Sequence, residues 1–335
     1  MLTFAIRRLL ISIPTLLFIS LVIFLLLELA PGDPMAQVPL TVPDEVKQKM
    51  RLALGLGEPV PVRFVKWMYQ FFVVEPSVFI DWLFGTSLSE GQQRVISWQT
   101  RSPVMDIVVQ RMPQTLWVVG LAYVVGVLIA LPIGIISAYK QYSIFDQAGT
   151  FVSMIGFSVP PFFTGVLVIV IFSIQLGWLP SIYDTTHVVN DWDSFVVQFK
   201  QMIMPVMVLA LQTTAQISRF MRASMLDNLN QDYVRTARAK GLSESVVVMV
   251  HVVRNSMIPV VTVIALGVPA IFGGAIITEQ IFKVNGIGQL LITAIQANDL
   301  PMVQTITFIF AVLIVVFNLI ADVLYGILDP RIRYD

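Results

Sequence analysis

The sequence predicts an all-α polytopic membrane protein with six transmembrane helices and one long outer loop. Three observations carry that prediction. The 335-residue chain is 56% hydrophobic and only 13% charged, with a mean hydropathy of +0.81. Soluble domains carry about 25% charged residues, so this chain has too few charges to coat a water-facing globule. Six stretches are long and apolar enough, at about 20 residues each, to cross the hydrocarbon as helices. Finally, Lys and Arg are divided very unevenly between the connecting loops.

The spans are expected at residues 9–29, 115–138, 150–176, 203–220, 258–281 and 302–328. The runs are too long for barrel strands, and in lipid every backbone N–H and C=O needs an internal partner, so helices are the expected form. Arg7-Arg8 before an apolar run resembles a cleaved leader. The run is long for one, and Ala30-Pro31-Gly32-Asp33-Pro34 lacks a small-x-small site, so the first span is expected to be retained. With the N-terminus placed inside, eleven basic residues fall on the cytoplasmic side: Arg7, Arg8, Lys140, Arg219, Arg222, Arg235, Arg238, Lys240, Arg254, Arg331 and Arg333. The short outer loops hold only Lys200 and Lys283, which puts both termini in the cytoplasm.

The second span repeats a small residue every four positions: Ala122, Gly126, Ala130, Gly134 and Ala138. Such a stripe lets another helix approach closely, and ordinary bundle packing is its expected use. Gly267, Ala270 and Gly274 do the same on the fifth span. The fourth span is the most polar. Its Gln212 and Gln216 lie one turn apart on one face, as do Asn318 and Asp322 on the sixth. Polar groups inside a membrane are costly and mark either a pathway or a hydrogen bond between helices. These four are candidate pathway residues, with an interhelical bond the stronger expectation for Asn318 and Asp322.

Residues 31–113 form the longest loop. Pro31-Gly32-Asp33-Pro34 signals a turn that ends the first helix. Asp44 to Leu54 reads as a short amphipathic helix stopped by Gly55 and Gly57. The aromatic and basic mixture at 62–72 suits a membrane interface. Residues 64–84 are apolar, but Lys66, Glu75, Pro76 and Asp81 argue against a further span.

The charged segment 223–257 joins spans four and five. A helix over Tyr233 to Lys240 should end at Gly241, a good residue for a left-handed stop, and Ser243 can cap a following helix. Helix, tight turn and second helix make an element able to dock in a partner's groove. Small Thr236, Ala237 and Ala239 are its expected contact face.

Composition excludes several classes. Net charge is zero, so nothing points to nucleic acid. There is no cysteine, which removes disulfides and thiolate metal sites. His187 and His251 stand apart and form no ligand pair, so no metal is expected. Neither H-E-x-x-H nor G-x-S-x-G is present, so no enzyme activity is indicated. A self-contained secondary transporter would need a coupling-ion site at mid-membrane, and charges inside the spans are scarce, with Asp322 the main one.

Tyr233-Val-Arg-Thr-Ala-Arg-Ala-Lys-Gly241-Leu-Ser243 resembles the cytoplasmic "EAA" loop of ABC importer permeases. Arg235, Thr236 and Ala237 stand at its first three positions and Gly241 at its glycine. The missing glutamate and the late Pro259 resemble the oligopeptide, dipeptide and nickel group. Arg7-Arg8, Pro31 to Pro34, Gly177-Trp-Leu-Pro180, His251 to Pro259, Asn285-Gly-Ile-Gly288 and Asp329-Pro-Arg-Ile-Arg333 continue the likeness over nearly the whole chain. Residues 75–101 are the least family-like part, a candidate insertion.

The resemblance implies the type I importer permease fold in a bacterial cytoplasmic (inner) membrane. It implies a second homologous permease, two ATP-binding subunits and an extracytoplasmic solute-binding protein as partners. Tyr233, Arg235, Thr236, Ala237, Ala239, Lys240, Gly241, Leu242 and Ser243 would form the ATPase-coupling loop, with peptides as cargo. Nickel, glutathione and oligosaccharides are the alternative cargoes. No cofactor is expected on this chain, because ATP would be bound by the partners. Leu88-Ser-Glu-Gly-Gln-Gln-Arg94 looks like the signature of ABC ATPases, but no G-x-x-x-x-G-K-[ST] loop accompanies it, and a chance match is expected.

Overall fold

A computed structural model describes residues 2–29, 43–53, 57–272 and 275–328. The expectations at Pro31 to Pro34, Gly55, Gly274 and Asp329 to Arg333 lie outside the described residues. Among those described, regular structure is helical apart from one isolated bridge between Ile96 and Pro103. Five helical stretches are long and apolar enough to cross a bilayer: Ile6–Glu28, Val104–Tyr139, Trp192–Leu229, Glu244–Phe272 and Leu300–Leu324. A sixth span is obtained by counting the bent pair Ile144–Ser158 and Pro161–Gln175 as one crossing.

Two of the predicted spans differ in form. The third is not a straight helix, because its halves meet at 106°. Val159 is extended and Pro160 and Pro161 follow it. A residue before proline is driven out of the helical region, and two missing N–H groups leave the ladder nothing to continue on. The fifth begins at Glu244 and stops at Phe272, rather than covering 258–281. The chain resumes as a separate short helix, Ile276–Phe282. The helical stretch over 60–84 is not among the candidate spans, in keeping with its charges.

The chain divides into two compact units. The larger holds the described residues of 1–11, 112–289 and 313–335. Its centre is the packing of α6 (Leu121–Tyr139) on α9 (Trp192–Leu229). The small-residue stripe of α6 is buried throughout, as bundle packing requires. A Cβ on Gly126 would lie 2.6 Å from Thr213 Cβ, and one on Gly134 would lie 2.6 Å from Met221 Cβ and 2.7 Å from the Ser218 carbonyl oxygen. Only glycine allows backbones this close. The approach lets Thr214 Oγ1 donate to the Gly126 carbonyl at 3.1 Å. Gly267 is likewise closed off by the Tyr123 ring, whose hydroxyl donates to the Ile264 carbonyl at 2.5 Å, whereas Ala270 is exposed.

α7 (Ile144–Ser158) packs on α9 as well. The Ser143 hydroxyl caps α7 by accepting from the Asp146 amide, and the buried Asp146 carboxylate takes a two-pronged bond from Arg222 of α9 at 2.7 and 2.8 Å. Behind α9, the chain from α13 (Ile276–Phe282) folds round Glu279, which is fully buried. Glu279 accepts from Thr115 at 3.1 Å and from the Gln289 amide at 2.8 Å. A Cβ on Gly286 or Gly288 would strike that carboxyl, which accounts for both glycines of Asn285-Gly-Ile-Gly288.

The smaller unit holds the described residues of 12–111 and 290–312. It contains α2 (Asp44–Ala53), the short helix expected after Pro43. α3 (Val60–Tyr69) continues through a π turn, Gln70–Val74, into α4 (Glu75–Phe84). Trp67 and Phe71 of this helix pack edge-on against Phe308, with ring centres 5.2 and 4.6 Å apart. Residues 75–101 are bound firmly into this unit. Arg94 pairs with buried Glu75 and with Asp106, each at 2.8 Å, and buried Asp299 accepts from the Ser97 hydroxyl and, at 3.0 Å, from the Trp98 amide. The Leu88 and Ser89 amides donate to Asp81 at 2.8 and 2.7 Å. The signature-like Leu88 to Arg94 is thus held as a local turn by its own neighbours.

Replacing Gly134 by leucine should destabilise the protein by about 1–3 kcal/mol or more, since the obstructing Ser218 carbonyl is backbone. Thermal unfolding in detergent should show a clear drop in midpoint for Gly134→Leu. Leu128→Ala, on the exposed side of the same helix, should show almost none.

Candidate functional site

α9 has 38 residues and is therefore about 57 Å long, far more than the ~30 Å of hydrocarbon. A helix of that length standing upright in a bilayer extends beyond the apolar zone at one end or at both, and this one ends only at Leu229. The connector expected over 223–257 is consequently narrower. Helix resumes at Glu244 with α11 (Glu244–Val246), passes through a π turn, Val247–Val252, and continues as α12 (Val253–Phe272). The second helix of the expected helix–turn–helix is thus the start of span five itself.

Between them stands α10 (Asp232–Ala239). Its end matches the sequence reading. Gly241 has φ +79°, its amide donates to the Arg238 carbonyl at 3.0 Å, and the Leu242 amide returns to Ala237 at 3.4 Å. Ser243 occupies the cap position of the next helix, but its hydroxyl makes no cap bond and instead faces Ser245 Oγ at 3.3 Å.

The expected contact face of Thr236, Ala237 and Ala239 is divided. Ala237 is buried together with Val234, against Met221 and Met225 of α9 and Val247, Val248 and Val252 of the π turn. Thr236 and Ala239 point outward with Arg235, Lys240, Gly241, Leu242 and Ser243. Ala237 is therefore an anchor that seats α10 on its own bundle, not part of an outward surface. A helix puts residues three apart on one side, so Val234 and Ala237 share the seat while 235, 236 and 239 face away. Tyr233 is half-buried and its hydroxyl donates to Asn228 Oδ1 at 2.8 Å, tying the start of α10 to the end of α9.

Two residues outside the sequence-derived set complete the element. Arg238 donates to Glu244 through Nε at 3.1 Å and through a terminal nitrogen at 2.6 Å, across the Gly241 turn. The bond to Glu244 holds the Arg238 guanidinium above its ordinary pKa. Both side chains are about half exposed, so the pair adds only about 0–1 kcal/mol to stability. The pair joins two helices across a turn, so no periodicity within one element announces it, and it has no signature in the sequence.

The candidate pathway residues separate as well. Gln212 is half-buried and Gln216 exposed, as their one-face placement on α9 permits. Gln216 borders an open pocket of about 520 Å³ with Phe157, Arg219 and Phe220, and the Arg219 guanidinium lies 5.5 Å above the Phe157 ring. Asn318 is exposed on α15 (Leu300–Leu328), while Asp322 pairs with Arg8 of α1 (Leu2–Glu28) at 3.1 Å. The structure does not bring the two polar pairs together into one cluster with the coupling residues. His187 bonds the Ser194 carbonyl at 2.8 Å, and among the described residues no group of three or more His, Cys, Asp or Glu is gathered.

A helical bundle with several apolar helices of spanning length, and an outward-facing turn seated on the end of the longest, defines a multi-pass membrane protein. Residues 130–334 match the family model described as binding-protein-dependent transport system inner membrane component. Residues 1–119 match the N-terminal model of the same systems, including the stretch 75–101. The oligopeptide transport system permease protein AppB of Bacillus subtilis is 37% identical over 338 residues, covering all of both chains. A putative peptide transport system permease protein of Brucella abortus is 34% identical, over 97% of this chain and 96% of its own. The glutathione transport system permease protein GsiC of Salmonella choleraesuis is 35% identical over the full length of both. The chain belongs to the family of inner-membrane components of binding-protein-dependent transport systems. It is a permease subunit, and a multi-pass inner-membrane protein.

An Ala237→Asp protein should release α10 from its seat, since a carboxylate in this apolar cluster has no partner. If opening becomes easier by about 1.4 kcal/mol, trypsin in open membranes should cut at Arg235, Arg238 or Lys240 roughly tenfold faster. Ala239→Asp, on the outward face, should leave cleavage unchanged.

Proposed function

We propose that this chain forms half of the translocation pathway of an ATP-driven peptide importer and transmits ATPase movement through α10 and its turn. The observation that carries the reading is the outward surface of α10, held firmly from beneath by Val234 and Ala237. A partner pressing on such a seated element moves the helices below it. ATP binding in the partner can act this way only by favouring one arrangement of the bundle over another.

In this reading a second homologous permease completes the pathway. One of two ATP-binding subunits docks on the outward residues Arg235, Thr236, Ala239, Lys240, Leu242 and Ser243, the other docks on the second permease, and an extracytoplasmic binding protein delivers cargo. Peptide cargo is supported by the named relatives. Glutathione is itself a small modified peptide, so their cargoes share amides and a free carboxylate. Gln212 and Gln216 are the side chains assigned to the pathway. Asp322, neutralised by Arg8, is assigned to packing.

Both termini are assigned to the cytoplasm. That requires an even number of crossings, so the bent pair Ile144–Ser158 and Pro161–Gln175 must cross once, not return as a re-entrant loop. The concentration of Lys and Arg on one side supports this.

The test is purification of the complex from its native membrane and its reconstitution with binding protein. The expected result is a second permease and ATP-binding subunits in the purified material, with peptide accumulating in vesicles only when ATP is supplied. A chain that purifies alone and transports without ATP would contradict the proposal.

A further inference from the structure

We propose that the Arg238–Glu244 ion pair is the positioning link that passes displacement of α10 into the fifth span. The proposal rests on the reading of α10 as the element on which the ATPases dock.

Its basis is the way α10 is attached. Beneath it, Val234 and Ala237 meet Met221, Met225, Val247, Val248 and Val252 through apolar contacts only. Such contacts hold a helix down but resist sliding and rotation poorly, because they are non-directional. Directional bonds occur at its two ends. At the start, Tyr233 is bonded to Asn228 of α9 at 2.8 Å. At the finish, Arg238 grips Glu244 with two nitrogens, at 3.1 and 2.6 Å. A two-pronged guanidinium–carboxylate bond fixes orientation as well as distance.

The far side of that grip is decisive. Glu244 opens a helical run that continues without a break to Phe272, the full length of span five. The intervening Lys240 to Ser243 turn alone would transmit motion poorly, since Gly241 has open space around its Cα and no side chain to brace it. With the pair in place, α10 and span five shift together. Without it, the side-chain bond left between α10 and another helix among the described residues is the one from Tyr233 to α9. The pair is half exposed and of small stabilising effect, so removing it should leave the fold and the apolar seat intact.

The experiment measures ATP hydrolysed per peptide imported by the complete reconstituted complex. Arg238→Glu and Glu244→Arg each set like charges against each other. Each should raise ATP consumed per peptide by about fivefold or more, the lower range of coupling between sites, while ATPase subunits remain bound. The double variant Arg238→Glu/Glu244→Arg restores opposite charges and should return the ratio to within about twofold of the unaltered protein. Single variants that import at the normal ratio would overturn the proposal, as would a double variant no better than the singles. Loss of ATPase binding in the single variants would also overturn it, by making these residues docking contacts. If the unaltered complex shows no ATP-driven import, the docking reading itself falls and takes this proposal with it.

Discussion

The structure depends on one close approach of two backbones. α6 and α9 touch along the line of Ala122, Gly126, Ala130, Gly134 and Ala138, with Thr213, Ser218 and Met221 lying where side chains on the glycines would have to be. In lipid there is no hydrophobic drive to push helices together, because the tails are as apolar as leucine. Packing and short polar contacts must hold the bundle, and both need small residues at the seam. The same seam positions the rest of the larger unit. It fixes α9, and α9 in turn carries Arg222 to Asp146 and Met221 and Met225 to the seat of α10.

From that seam the route to function is short. α9 is longer than the apolar zone is thick, and α10 is attached at its end through Tyr233 and Asn228. α10 is eight residues long, too short to be stable alone, and holds its shape because Val234 and Ala237 are buried. What it offers outward is a mixed surface of small, basic and one apolar residue, with Leu242 exposed at the turn. On the proposed function, this division, with anchors beneath and outward residues above, would let a partner's movement reach the bundle without the partner touching it.

Much of this was legible in the sequence, for physical reasons that can be named. A span's length and its lack of charge are dictated by lipid, so the six apolar stretches were visible, as was the exclusion of 64–84 on the strength of Lys66, Glu75 and Asp81. The glycine stop at 241 follows from a local backbone requirement and was legible too. Tertiary choices were hidden. Nothing local distinguishes Ala237 from Ala239, yet one is buried and the other exposed, because only the neighbouring α9 and the π turn define an inside. The 106° bend at Val159 had a visible sign in Pro160-Pro161, but hydropathy ran smoothly across it. The buried acids Glu279 and Asp299 carry no local signal, since their partners at Thr115 and Ser97 lie 164 and 202 residues away in the chain.

The most direct test of the central claim is cross-linking from α10 to the ATP-binding subunit. The natural chain has no cysteine, so single cysteines can be placed without background. With a short thiol-reactive cross-linker on the assembled complex, Ala239→Cys should join to the ATP-binding subunit and Ala237→Cys should not. Efficient joining from position 237 with none from 239 would mean that the buried and outward faces of α10 have been assigned the wrong way round.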